Sequence, residues 1–120
     1  DLADDLSTDG ERGLLGLAFS RDGSRLYLSF APADGSSRVD EWTMDGDAVE
    51  PASRRTVIGA PQPDAGNHKG GDLAIGPDGL LWWSLGDGGG QGDPFENGQN
   101  LETLLGGMVR VDPSACVPGV

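Results

Sequence analysis

One stretch of this sequence occurs twice, and the repetition restricts the fold more than any other feature. Residues 15–30 read LGLAFSRDGSRLYLSF and residues 71–86 read GDLAIGPDGLLWWSLG. Leu17, Ala18, Phe19 and the Asp22-Gly23 pair recur 56 positions later as Leu73, Ala74, Ile75 and Asp78-Gly79. Past the turn the offset falls to 55, matching Leu26 with Leu81, Tyr27 with Trp82 and Ser29 with Ser84. Each copy reads as strand, turn, strand. Asp-Gly favours the turn because Gly tolerates positive φ and Asp bonds its local backbone. Further strands are expected at Arg38–Met44 and Arg54–Ile58 after the first copy, and at Gly107–Asp112 after the second.

About four short strands per repeat of roughly 40–60 residues is the pattern of a propeller blade. The 21 glycines and 8 prolines among 120 residues imply many turns, and no stretch carries sustained apolar spacing at the helical period. An all-β fold follows. A small β-sandwich with a chance repeat is the competing architecture. A blade needs a neighbour on each side, so two blades leave two apolar faces open. The expectation is that residues 1–120 form a fragment, about two blades, of a larger propeller, truncated at both ends.

The net charge of -12 arises from 20 acidic against 8 basic residues, and Lys69 is the only lysine. This balance argues against nucleic acid and anionic membranes, which need clustered cations. No window approaches the ~18 apolar residues of a membrane span, and no signal-peptide pattern is present. Cys116 is the only cysteine, so any disulfide partner lies outside this chain.

The second hairpin turns near Pro77-Asp78. His68 lies about ten positions before that centre and Asp87 about nine after it, so antiparallel pairing brings them to one end. A carboxylate beside an imidazole selects one tautomer, as in a general base with a third group behind it. Gly70-Gly71 and Gly88-Gly89-Gly90 leave room for a flat ligand. The alternative reading of His68 is a turn residue bonded to its own backbone. Glu11, in the loop Gly10-Glu11-Arg12-Gly13, falls by the repeat at the same rim one blade away. It too reads either as part of a site or as a solvated turn. Residues 86–100, GDGGGQGDPFENGQN, have the look of a metal loop. They fail the EF-hand template, because position 12 from Asp87 is Gly98. They also miss the GGxGxD repeat. Asp93, Asn97 and Asn100 supply oxygens, but the metal ligands stay unassigned. No GxGxxG opens a helix after a strand, which argues against a Rossmann site.

Several motifs occur in a telling order: GERGLLGLAF at 10–19, NHKGG at 67–71, GPDG at 76–79 and LGDGG at 85–89. GDPF at 92–95, QN at 99–100, LLG at 104–106 and VRVD at 109–112 follow. This run resembles the N-terminal blades of the glucose/sorbosone dehydrogenase family. That family includes soluble pyrroloquinoline quinone-dependent sugar dehydrogenases and hedgehog-interacting-protein-like proteins. The resemblance implies a six-bladed β-propeller. It implies that His68 takes the proton of an aldose's anomeric hydroxyl, that Asp87 supports His68, and that hydride passes to the quinone C5 carbonyl as a lactone leaves. Glu11, Asn67 and Gly70 would border the cofactor. Calcium ligands and the cations that clamp the quinone are expected outside this chain. An external electron acceptor and a periplasmic or extracellular location are implied in the same way. One position departs from the pattern: quinone-binding relatives carry Gln where this chain has Glu11. An ionised Glu11 would repel the quinone's carboxylates unless paired, and Arg12 is the expected partner. The alternative function is a non-catalytic, hedgehog-interacting-protein-like propeller that binds a protein or glycan.

Overall fold

The computed structural model describes residues 1–115. After a short 3-10 turn at Leu2–Asp5 come β1 (Leu14–Phe19), β2 (Arg25–Phe30), β3 (Ser37–Asp45) and β4 (Ala48–Ala60). These four form one antiparallel sheet in chain order. β5 (Gly70–Ile75), β6 (Leu81–Leu85) and β7 (Gly107–Val111) form a second, also antiparallel and in chain order. The fold is all-β, and the two repeat copies are the β1–β2 and β5–β6 hairpins.

The turns are closed by the aspartates. Asp22 Oδ1 accepts from Ser24 N (3.0 Å), Ser24 Oγ (2.8 Å) and Ser20 Oγ (2.7 Å), while Asp78 Oδ1 accepts from Leu80 N (3.1 Å). Phe19 pairs with Leu26 but Ile75 pairs with Leu81, so the first connection is one residue longer. That extra residue is why the repeat offset drops from 56 to 55. The register also shifts between Leu14 and Gly16 and, at the equivalent place, between Gly70 and Leu73. A bulge at the same point of each first strand re-aims the segment that precedes it. Those segments carry Glu11 and His68. β4 is longer than Arg54–Ile58 because it follows β3 from the Asp45–Ala48 pair to the Ser37–Ala60 pair.

The core lies between the sheets. Tyr27, Val39 and Val57 of the first face Leu73, Leu81, Trp83 and Leu85 of the second. Trp83 and Ser29 are both 0% exposed, and the indole Nε1 donates to Ser29 Oγ at 2.9 Å across the interface. The opposite face of each sheet is covered only in part. Leu17 and Phe19 are exposed on the first sheet and Met108 on the second. On that second outer face Arg110 lies 5.4 Å from the Trp82 ring. On the first, Asp40 is buried between Arg54 (2.7 Å) and Arg38 (3.1 Å). Two antiparallel sheets packed face to face, with some apolar side chains still exposed on their outer sides, fit the expected blades of a propeller.

Candidate active site

Gly70 pairs with Leu85 at the end of the second hairpin, and continuing that register opposes His68 to Asp87. Their side chains meet: His68 Nδ1 lies 2.9 Å from Asp87 Oδ1. The same oxygen accepts from Gly89 N at 3.0 Å. The Gly89 N–H first, and the imidazole second, hold the Asp87 carboxyl below the usual carboxylate range. At neutral pH Asp87 is therefore ionised and can only accept, so Nδ1 carries the imidazole proton. The lone pair falls to Nε2. That nitrogen has no hydrogen-bond partner among the described residues, and the His68 side chain is 46% exposed. An oriented, solvent-facing imidazole with a free lone pair can take a proton from a hydroxyl.

The loop behind this pair has no regular structure, so its polar backbone groups need other partners. Asn97 Nδ2 donates to Asp87 O (2.8 Å), Lys69 Nζ to Gly88 O (3.1 Å), and Gly90 N to Asn67 Oδ1 (2.9 Å). Asn67 thus fastens the loop that carries Asp87. At Gly86 a side chain is excluded, since a Cβ there would lie 1.8 Å from His68 O.

Glu11 reaches His68 from the first blade. Its Oε2 accepts the His68 backbone N–H at 2.6 Å, and its own N–H donates to Gly66 O at 2.7 Å. Arg12 is not its partner, contrary to expectation. The Arg12 guanidinium donates to Asp64 O (3.1 Å) and Ala65 O (3.4 Å) and lies 3.4 Å from Asp9. Those carbonyls belong to an irregular, partly buried turn and lack strand partners, so they draw in the nearest cation. Gly70 also serves the packing of the hairpin. A Cβ on it would meet Gly86 N at 2.8 Å and Leu85 Cα at 3.0 Å, so its missing side chain lets the hairpin close. A Cβ on Gly71 would strike Leu15 of the first blade at 2.5 Å.

Sequence reasoning misses Lys69 as a site residue. It is 1% exposed, and Nζ also donates to Pro63 O (3.2 Å) and Gln62 Oε1 (3.3 Å). Burial, and then the charge of Arg12, hold its pKa below the ordinary lysine value. The one available signal is the presence of a single lysine beside the single histidine in a strongly acidic chain. The oxygens of the 86–100 loop are largely used within it. Asp93 accepts from Asn97 N (3.0 Å) and Gly98 N (2.8 Å), and Asn100 Oδ1 accepts from Glu102 N (3.0 Å). Among the described residues no three His, Cys, Asp or Glu side chains converge as metal ligands. Cys116 lies outside the described residues.

Comparison with known proteins identifies the family of the chain. The family model described as Glucose / Sorbosone dehydrogenase matches residues 2–119. The chain belongs to the glucose/sorbosone dehydrogenase family. Its fold is similar to an oxidoreductase described as a glucose dehydrogenase from Thermus thermophilus, at 30% identity and a TM-score of 0.76. That match covers 91% of this chain and 33% of the other. It is similar to the PQQ-bound aldose sugar dehydrogenase of Streptomyces coelicolor, at 29% identity and a TM-score of 0.73, covering 95% and 34%. Among curated proteins, HIPL1 of Arabidopsis thaliana is 25% identical over 158 residues, covering 93% of this chain and 22% of HIPL1. Human Hedgehog-interacting protein is 34% identical over 117 residues, covering 85% and 17%. This family member thus spans about a third of the solved relatives and about a fifth of the curated ones. Among its described residues no helix is long and apolar enough to cross a membrane.

Proposed function

We propose that the glucose/sorbosone dehydrogenase carrying this chain oxidises an aldose at C1 to the lactone, with His68 as general base. The observation that carries this reading is the His68–Asp87 pair, which leaves Nε2 basic and exposed. The anomeric hydroxyl proton passes to Nε2 while the C1–O bond becomes a carbonyl. Pyrroloquinoline quinone, when bound, supplies the hydride acceptor at C1. The residues here suit the reacting edge of that cofactor. The exposed imidazole faces open space, and the Glu11 charge is engaged by the His68 N–H instead of standing free against carboxylates. Arg12 and Lys69 are engaged by protein oxygens; in this reading the cations that clamp the quinone, and the ligands for calcium, come from outside this chain. Two sheets correspond to 33% of a solved relative, which supports about six blades in the whole. An external electron acceptor and a periplasmic or extracellular setting complete the proposal.

The test mixes the intact protein with pyrroloquinoline quinone, calcium and a panel of aldoses, and follows reduction of an artificial acceptor dye. Turnover is expected. Its absence with every common aldose would remove the enzymatic reading. A second reading has its own support: the curated relatives include Hedgehog-interacting protein at 34% identity, and Glu11 stands where a neutral Gln is expected. In that case the propeller would bind a protein or glycan and take up no quinone.

A further inference from the structure

Among the described residues outside glycine, His68 is one of four with positive φ, at 55°. For a residue with a Cβ this region is disfavoured, and it persists only where the surroundings over-determine it. Asn67 and Lys69 on either side are both anchored to the 87–90 loop, through Gly90 N and Gly88 O. The remaining constraint comes from the other blade. Glu11 grips the turn twice: its N–H meets Gly66 O at 2.7 Å and its carboxylate meets His68 N at 2.6 Å. An N–H bonded to a carboxylate is charge-assisted and stronger than a neutral pair. Glu11 is itself exposed, so its position owes little to burial.

We infer that Glu11 is a positioning residue for His68, acting through the backbone N–H across the blade interface, and that it is not a ligand of the cofactor. The inference deepens the proposed sugar oxidation, and its activity arm rests on that reading. Its structural arm does not. Gln can present one oxygen to the same N–H, so Glu11→Gln keeps the contact with a weaker, neutral acceptor, whereas Glu11→Ala removes it.

The test uses the intact 15N-labelled protein without quinone, with the His68 amide assigned by comparison with a His68 variant. In Glu11→Ala the His68 amide proton should move upfield and exchange at least about tenfold faster, the loss expected of a charge-assisted bond. Glu11→Gln should retain most of the protection. With the loaded enzyme, Glu11→Ala should lower kcat by about tenfold through misplacement of the base, with the quinone Kd unchanged within about twofold. An unchanged His68 amide in Glu11→Ala would overturn the inference. So would a tenfold change in quinone Kd with the amide unaffected, which would make Glu11 a cofactor contact. If the wild-type protein shows no turnover, the proposed function fails, while the amide result still decides the role of Glu11.

Discussion

The Trp83–Ser29 hydrogen bond joins the two blades at the centre of their interface, and its removal has a calculable cost. Both groups are 0% exposed and 2.9 Å apart. Ser29→Ala leaves a buried indole N–H with no acceptor, which costs about 1–3 kcal/mol. Trp83→Phe removes the donor, strands the Ser29 hydroxyl and leaves a void, so its cost is larger, about 2–4 kcal/mol. In the double variant neither polar group is stranded. Its cost should fall short of the sum of the two by a coupling of about 1–2 kcal/mol. Equilibrium urea unfolding of the intact protein, followed by circular dichroism because a tryptophan is altered, supplies the four free energies of the cycle. Additivity within about 0.3 kcal/mol would refute the reasoning, since it would mean the two groups do not see each other. The Glu11–His68 contact crosses the same interface, so Trp83→Phe should also weaken His68 amide protection.

Three more outcomes are expected. Asp87→Asn can still accept from Nδ1 and Gly89 but carries no charge to stabilise the imidazolium, so kcat should drop by about 10²–10⁴ with the fold intact by circular dichroism. Gly86→Ala places a Cβ 1.8 Å from His68 O, so the hairpin end must part; lowered thermal stability and lost turnover together are the readouts. Asp22 is held at about 2, against an ordinary 3.8, by the Ser24 N–H first and then the Ser20 and Ser24 hydroxyls. A depressed folded-state pKa adds stability above 3.8 that disappears as pH falls towards 2. Acid titration should therefore show Asp22→Asn less stable than wild type at pH 5, with the difference vanishing near pH 2.

The hairpins were legible because Asp-Gly turns and matched apolar positions are local signals. Counting outward from Pro77-Asp78 is enough to bring His68 opposite Asp87, since a hairpin's register follows from its turn. The contacts between blades are harder to read. Repeat geometry puts Glu11 at the right rim, but nothing local says that its carboxylate seeks a backbone N–H 57 positions away. Sequence proximity favours pairing Arg12 with the neighbouring charge. The unpaired carbonyls of Asp64 and Ala65, which claim it, exist only once the turn is folded. The packing role of Gly70 is not legible, because a missing side chain gives no hint of which backbone approaches it. The burial of Lys69 is equally hidden, since its three acceptors are two carbonyls and an amide oxygen scattered over 62–88. The bulges leave no mark in the sequence pattern beyond glycines at 16 and 71.

The proposed oxidation turns on a proton leaving the sugar for one imidazole nitrogen. The decisive measurement is kcat of His68→Ala beside wild type, in the intact quinone-loaded protein at saturating aldose. A fall of about 10² or more is predicted for loss of the base. An undiminished kcat would show that some other group takes the proton.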